Sequence, residues 1–136
     1  MDMKLELVII PVTDIDRSKA YYEQLGFNCD TDHQAGDFRV VQVTPPGSAC
    51  SVGFGTGITS AAPGSAQGLH LVVTDIEAAV AEVRQRGIEV SDPFHFGAEG
   101  KVDGVDPQRQ DYGSFAELPD PDGNIWLIQE IKSRAS

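Results

Sequence analysis

A short phrase occurs twice in this chain and limits what it can fold into. Residues 12–16 read VTDID and residues 73–77 read VTDIE, and Gly26 and Gly87 follow the two phrases at the same spacing. Landmarks that keep their spacing across a turn and a helix indicate an internal duplication. A unit of this size cannot bury its own sheet face, so the two copies are expected to pack together. The space between them is then a natural ligand site.

Composition limits the classes of partner. At 136 residues and 40% hydrophobic, the chain can bury one sizeable core, so we expect a single domain over residues 1–136. Ten Lys and Arg against 21 Asp and Glu give a net charge of −11, which leaves no basic face for nucleic acid or anionic membranes. No apolar run approaches the roughly 18–20 residues of a membrane span, and the first residues do not resemble a signal peptide. The composition favours a cytoplasmic protein, with Cys29 and Cys50 as reduced thiols.

Each half shows the same order of predicted elements, one strand, one helix and three further strands. Thr13 and Asp14 are expected to start the first helix over about residues 16–24, and Thr74 with Glu77 forms a capping-box pattern for the second. An apolar stripe typical of a packed helix follows it at Ile76, Ala79, Val80 and Val83. The predicted strands are residues 5–12, 27–31, 38–44 and 49–55 in the first half, and 68–73, 88–94, 113–118 and 125–130 in the second.

The segments between these elements divide the chain into modules. Module one is expected at about residues 4–56, a small, polar linker at about 57–67, and module two at about 68–132. Residues 95–111 are rich in glycine and charge and predict an exposed, mobile loop. The DPDGN sequence at 120–124 predicts a turn before the last strand.

The sequence resembles one known superfamily over nearly its whole length. VTDIDRSKAYYEQLGF, then VTDIEAAVAEVRQRGI, then a closing DPDGN-x-W-x-x-Q, is similar to the vicinal-oxygen-chelate superfamily of glyoxalases, bleomycin-resistance proteins and extradiol dioxygenases. The resemblance implies an α+β fold in which two tandem βαβββ modules form one curved-sheet cup. In the metalloenzymes of that superfamily the cup holds substrate and one divalent cation. The resemblance also implies a homodimer.

The metal ligands that the resemblance implies have no counterparts here. A His at the start of each module's first strand would fall on Leu7 and Gly68, and the closing Glu would fall on Leu127. The strand ACSVGFG at 49–55 carries no carboxylate. Leucine and glycine side chains supply no ligand atom to a divalent cation. We therefore predict no metal or other cofactor at the usual site, with a divalent metal at a displaced, non-standard site as the alternative.

Two polar side chains lie one strand repeat beyond the empty ligand positions. His70 follows Gly68 and Gln129 follows Leu127 by two residues, so each shares its neighbour's face and is expected to point into the cup. His70 has three interpretations: a core residue with one hydrogen bond, a ligand-binding or acid/base group, or a metal ligand. Arg39 or Gln42 on the middle strand is a further candidate donor, with the facing of both left open.

Aromatic residues are candidates for lining a pocket. Trp126 and the Phe94 and Phe96 pair are expected either to pack in the core or to contact a ligand, and Tyr112 is placed to close over one. His95 lies between the two phenylalanines, where exposure on a loop or a position at the mouth of the cup are the alternatives.

Two functions of different class follow. The first is a small-molecule-binding protein of the glyoxalase/bleomycin-resistance type that lacks the usual metal ligands. The second is an enzyme, a lyase or isomerase of glyoxalase type or a dioxygenase-like enzyme, acting on a small carbonyl or hydroxylated substrate. In that alternative His70 is the catalytic acid/base and a displaced metal assists. Elemental analysis of protein purified without a histidine tag distinguishes them.

Overall fold

The computed structural model describes residues 1–134. Its helices are α1 (Ile15–Leu25) and α2 (Ile76–Gln85), and a short 3₁₀ helix follows at Lys132–Arg134. Four strands lie in the first half: β1 (Leu7–Ile9), β2 (Asn28–Ala35), β3 (Phe38–Thr44) and β4 (Ser51–Gly55). Five lie in the second half: β5 (Gln67–Val73), β6 (Phe94–Gly97), β7 (Gly100–Asp103), β8 (Ser114–Pro119) and β9 (Ile125–Glu130).

The two sheets repeat one strand order. The first is ordered β1-β4-β3-β2 and the second β5-β9-β8-β6-β7. In each, the first strand of the half pairs in parallel with its last long strand, β1 with β4 and β5 with β9. The other pairs are antiparallel. The α+β prediction is confirmed, the topology supports the duplication, and β7 is an addition to the second copy.

The chain forms two units whose boundaries differ slightly from those of the repeats. One unit comprises Met1–Ala66 together with Asp120–Asn124, and the other comprises Gln67–Pro119 and residues 125–134. The turn between β8 and β9 therefore belongs to the first unit. Within residues 1–134, no helix is long and apolar enough to cross a membrane.

In the first unit, α1 begins and ends as its sequence predicts. Asp14 is the N-cap, and its side chain accepts a hydrogen bond from the Arg17 backbone N–H at 3.0 Å. Gly26 ends the helix in the left-handed conformation, with φ 110°, which glycine adopts without steric cost. Tyr22, on the buried side of α1, lies in a core with Val41, Val43 and Phe54.

In the second unit, α2 begins one residue later than the capping-box pattern predicts. The cap is Asp75, which accepts from the Ala78 N–H at 3.1 Å, and not Thr74. Asp75 holds the N-cap position because its carboxylate reaches the third helical N–H from there. The predicted stripe is largely confirmed, because Ile76, Val80 and Val83 are buried and only Ala79 is half-buried.

Two predictions about residues 88–111 are wrong. The strand predicted at 88–94 begins only at Phe94, since Pro93 before it has no N–H for a strand ladder. The predicted loop at 95–111 contains a hairpin in which β6 and β7 pair from Phe94 opposite Asp103 to Gly97 opposite Gly100. The irregular part is therefore confined to residues 104–113.

Candidate functional site

The second sheet has a covered face and an open face. His70 pairs with Leu127, and Phe115 pairs with Gln129. Partners in register project to the same side, so these four side chains share a face, as the strand parity of His70 and Gln129 predicts. Side chains of alternate parity, among them Trp126, project to the other side, where residues of β8 and β9 are buried.

A chain of polar groups crosses the open face. The Nδ1 atom of His70 lies 3.0 Å from Oε1 of Gln129. Gln129 Nε2 donates to the backbone carbonyl of Tyr112 at 3.2 Å. Gln129 is buried, whereas the His70 ring is exposed. The exposed imidazole is thus held from behind by a buried amide.

Three phenylalanines lie beside this chain. Phe94, Phe96 and Phe115, here called the phenylalanine cluster, have ring centroids 5.4–5.8 Å apart. Phe94 is buried, but Phe96 is 62% exposed. The ring of His70 lies 6.4 Å from that of Phe115, at an interplanar angle of 77°. We call His70, Gln129 and the phenylalanine cluster together the His70 face.

A lysine lies at the β7 edge of the His70 face. Lys101 Nζ lies 4.2 Å from the centroid of the Phe94 ring, within range of a cation–π contact. The same amine lies 3.6 Å from a carboxylate oxygen of Glu117, and both side chains are about half exposed. Neither Lys101 nor Phe115 was a candidate from the sequence. The sequence signal for this end of the face is a two-residue repeat, because Phe94 and Phe96 are two residues apart and so are Glu99 and Lys101. The repeat is informative only when the β6–β7 hairpin is recognised.

Neither Trp126 nor Arg39 belongs to the open face of the second sheet. Trp126 is buried on the covered face because it is one residue out of phase with Leu127. Arg39 lies in the first unit, where its guanidinium binds Asp32 at 2.8 and 2.9 Å and Asp16 at 2.6 Å. The hydrogen bonds from Arg39 hold the pKa of Asp32 well below its usual range, and a hydrogen bond from Lys19 to the same carboxylate makes the second-largest contribution.

The facing of the two candidates on β3 is resolved by register. Gln42 pairs with Gly53, and a Cβ at Gly53 would meet the side chains of Ile9 and Leu7. Gln42 therefore lies on the face of the first sheet that carries Leu7. Arg39 has the opposite parity and reaches Asp16 of α1.

Tyr112 and His95 each join two segments of the second unit through a hydrogen bond. Tyr112 serves the His70 face through its backbone carbonyl, and its side chain is exposed. That the Tyr112 side chain closes over a ligand stays a prediction. His95 Nδ1 lies 2.7 Å from the carbonyl oxygen of Gly104, so this imidazole bridges the β6–β7 hairpin to the following turn.

A buried ion pair lies behind the open face. Glu130 is fully buried on the covered side and receives hydrogen bonds from Arg109 Nε at 2.9 Å and from the Ile76 N–H at 2.9 Å. Arg109 also donates to Glu77 at 2.8 Å. The guanidinium lowers the pKa of Glu130 below its ordinary value, against the opposing effect of burial. This pair anchors residues 109–112 to β9.

The side chains present do not fit the divalent cation of metalloenzyme members. Leu7, Gly68 and Leu127 offer no donor atom, and the nearby carboxylate of Glu130 faces the other side of the sheet, paired to Arg109. In the described part of the chain, no three His, Cys, Asp or Glu side chains are grouped to hold a metal ion. His70 supplies a single imidazole, whereas zinc and similar ions take three or four protein ligands.

Comparisons with known proteins agree with this architecture. Among solved structures, TnmS3, an antibiotic binding protein from Streptomyces sp. CB03234, is 27% identical, with 96% of this chain and 97% of that chain covered and a TM-score of 0.74. A glyoxalase/bleomycin resistance protein from the same organism is also 27% identical, with 93% and 100% covered and a TM-score of 0.71. A superfamily member from Sphaerobacter thermophilus DSM 20745 is 25% identical, with 95% and 98% covered and a TM-score of 0.70.

No protein with a curated description matches the chain. The family model of the Glyoxalase/Bleomycin resistance protein/Dioxygenase superfamily matches residues 4–128. That match spans both units and every element from β1 to most of β9. The chain therefore belongs to the Glyoxalase/Bleomycin resistance protein/Dioxygenase superfamily.

Proposed function

We propose that this protein binds and sequesters a small, partly apolar organic compound on the His70 face, without a metal of its own. The observation that carries the proposal is the placement of an exposed imidazole beside a partly exposed phenylalanine cluster. Ligand sites are typically apolar surfaces with a few oriented polar groups. The His70 face has that composition.

The similarity to TnmS3 supports an antibiotic as the class of compound, since that relative is described as an antibiotic binding protein. Aromatic rings in such compounds are suited to the exposed ring of Phe96, which is 62% exposed. Covering apolar surface stabilises a complex by about 25 cal/mol per Å², less the cost of immobilising the ligand. Binding without chemistry would be sufficient to protect a cell by sequestration.

A panel of aromatic antibiotics tested by thermal shift should give at least one compound that raises the melting temperature. For such a compound, Phe96→Ala should weaken binding about tenfold, because a stacking surface is lost. His70→Ala should weaken it about fivefold to tenfold by removing a hydrogen bond. Isothermal titration calorimetry measures both changes.

Val102→Ala provides the control, because Val102 is an exposed apolar residue of the same hairpin that pairs with His95 and so projects to the side of the sheet opposite Phe96. Its affinity should equal that of the unchanged protein. Equal affinities for all four proteins would rule out the His70 face as the site. Compound released from the complex should be chromatographically identical to the compound added, and conversion would instead support the alternative of a lyase, isomerase or dioxygenase-like enzyme. A homodimer and a cytoplasmic location stay predictions.

Protein purified without a histidine tag should contain no stoichiometric nickel, zinc, iron or manganese. Adding these ions should leave the melting temperature unchanged, since Leu7, Gly68 and Leu127 supply no ligand atoms. Elemental analysis and thermal shift make the two measurements. One metal ion per chain, with a stabilised protein, would contradict the metal-free proposal.

A further inference from the structure

The hydrogen-bond direction along the His70 face is fixed at one end by the main chain. A backbone carbonyl can only accept, so the Gln129 atom 3.2 Å from the Tyr112 oxygen must be the amide nitrogen. The other orientation would place two carbonyl oxygens against each other. Gln129 Oε1 is thereby directed at His70.

The orientation of the Gln129 amide in turn determines which nitrogen of the His70 imidazole carries a hydrogen. Oε1 of Gln129 can only accept, so His70 Nδ1, at 3.0 Å, must carry a hydrogen. Neutral His70 is therefore the Nδ1–H tautomer, and its Nε2 atom carries a lone pair. Among residues 1–134, Nε2 has no hydrogen-bond partner.

The position of the Tyr112 carbonyl is itself constrained. The Tyr112 N–H donates to the carbonyl of Glu130 at 2.9 Å. Tyr112 also has φ 70°, a left-handed conformation that a non-glycine residue keeps only where surrounding contacts hold it. Gln129 is buried and has little room to turn over. The orientation of the three groups is thus built into the fold before any ligand arrives.

We infer that the His70 face selects planar hydroxyaryl compounds, whose O–H donates to Nε2 of His70 while the ring packs on the phenylalanine cluster. The inference rests on the proposed function and narrows its ligand class. Phe115 and Phe96 provide the ring contact, with Phe115 6.4 Å from the His70 ring. An aryl ether of the same shape has no hydrogen to donate, so it leaves the lone pair of Nε2 covered and unpaired, at a cost in affinity.

The tautomer is measured on the unliganded protein. Long-range ¹H–¹⁵N correlation spectra of histidine-labelled protein at about pH 8, where an ordinary imidazole is neutral, should show His70 protonated at Nδ1. His70→Ala identifies the signal, and His95 serves as an internal comparison because its Nδ1 lies 2.7 Å from the Gly104 carbonyl. A hydrogen on Nε2 of His70 would overturn the inference without any ligand experiment.

The ligand class is tested with a matched pair of probes, 2-naphthol and 2-methoxynaphthalene. The unchanged protein should bind 2-naphthol about tenfold more tightly, with His70 and Phe96 signals shifting on titration. His70→Ala should bind both probes about equally. Equal affinities in the unchanged protein would overturn the inference while leaving the proposed function intact.

Two other outcomes of these experiments would also overturn the inference. If neither probe binds at millimolar concentration, and no aromatic antibiotic stabilises the protein, the proposed function fails and the inference fails with it. If the His70 and Phe96 signals shift with protein concentration and not with probe, the face is occupied by a second copy of the chain. That result would also overturn the inference.

Discussion

Arg109→Met should lower the free energy of unfolding by about 3 to 5 kcal/mol. The carboxylate of Glu130 is fully buried, and among residues 1–134 Arg109 supplies two of the three hydrogen-bond donors that reach it. Methionine keeps much of the arginine's stem but leaves a buried charge without its partner, which is among the most destabilising changes available to a protein. Urea denaturation monitored by circular dichroism measures the loss.

The pH dependence distinguishes loss of charge pairing from loss of packing. The pKa of Glu130 is lowered in the folded protein, so the stability it contributes is present above the ordinary carboxyl pKa of 4.5 and is lost as pH falls through the folded-state pKa. In Arg109→Met the carboxylate lacks its partner, and protonation relieves the penalty. The stability difference between the two proteins should therefore narrow below about pH 4.5. A difference that is independent of pH would contradict the electrostatic explanation.

Two further variants serve as controls. Arg84→Met removes an exposed guanidinium that donates to Asp92 at 2.7 Å and to the Val90 carbonyl at 3.2 Å, and should cost no more than about 1 kcal/mol. Arg109→Met combined with Glu130→Gln removes both charges and should recover more than half of the loss, because no buried charge is left unpaired. Failure of the double variant to recover would assign the loss to packing.

Asp120→Asn should destabilise the protein by about 2 to 3 kcal/mol, although it replaces only one oxygen by nitrogen. One carboxylate oxygen accepts from Tyr22 Oη at 2.7 Å and Asn124 Nδ2 at 2.8 Å. The other accepts from the backbone N–H groups of Asp122 at 3.0 Å and Asn124 at 2.9 Å. An amide has a single oxygen, so its NH₂ group must face two donors in either orientation.

Tyr22→Phe tests the same hydrogen bonds by removing a donor in place of the acceptor. It deletes one donor and keeps the buried ring, so it should cost about 1 kcal/mol, and its effect should be less than additive with Asp120→Asn. Asp103→Asn, at an exposed position on β7, should change the unfolding free energy by no more than about 0.5 kcal/mol. Chemical denaturation provides all four values. An Asp120→Asn value as small as that for Asp103→Asn would show that the turn does not need the second oxygen.

Local periodicity was sufficient to predict one part of the site. The two-residue repeat of a strand placed His70 and Gln129 on one face before their register was known, and the 3.0 Å contact between them agrees. The same repeat, applied to Trp126, would have put it out of phase with Leu127, on the covered face where it lies. Strand parity therefore favours the core position among the two interpretations of Trp126.

Contacts between distant segments were not predictable in the same way. Arg109 and Glu130 are far apart in sequence. The direction in which the Arg109 side chain points depends on its left-handed backbone, with φ 49°, in an irregular segment. No periodic pattern describes such a segment. The hairpin of β6 and β7 is not evident from the sequence, because glycines are typical of mobile loops as well as of tight turns. Here Gly100 supplies the positive φ that the turn of the hairpin requires.

The DPDGN turn has a consequence for how this protein can be divided. The turn follows β8 in sequence, yet it is bound to the first unit. The side chain of Asn124 donates to the Pro11 carbonyl at 2.9 Å and accepts from the Ala66 N–H at 2.9 Å. Gly64 packs so closely against the Asp122 carbonyl that a Cβ there would lie 2.2 Å from the oxygen. A fragment that ends at the linker would contain one complete repeat but would lack residues 120–124, which belong to the same unit. A single repeat therefore does not contain all of its own unit, and a split or permuted version of the protein would have to keep residues 120–124 with residues 1–66.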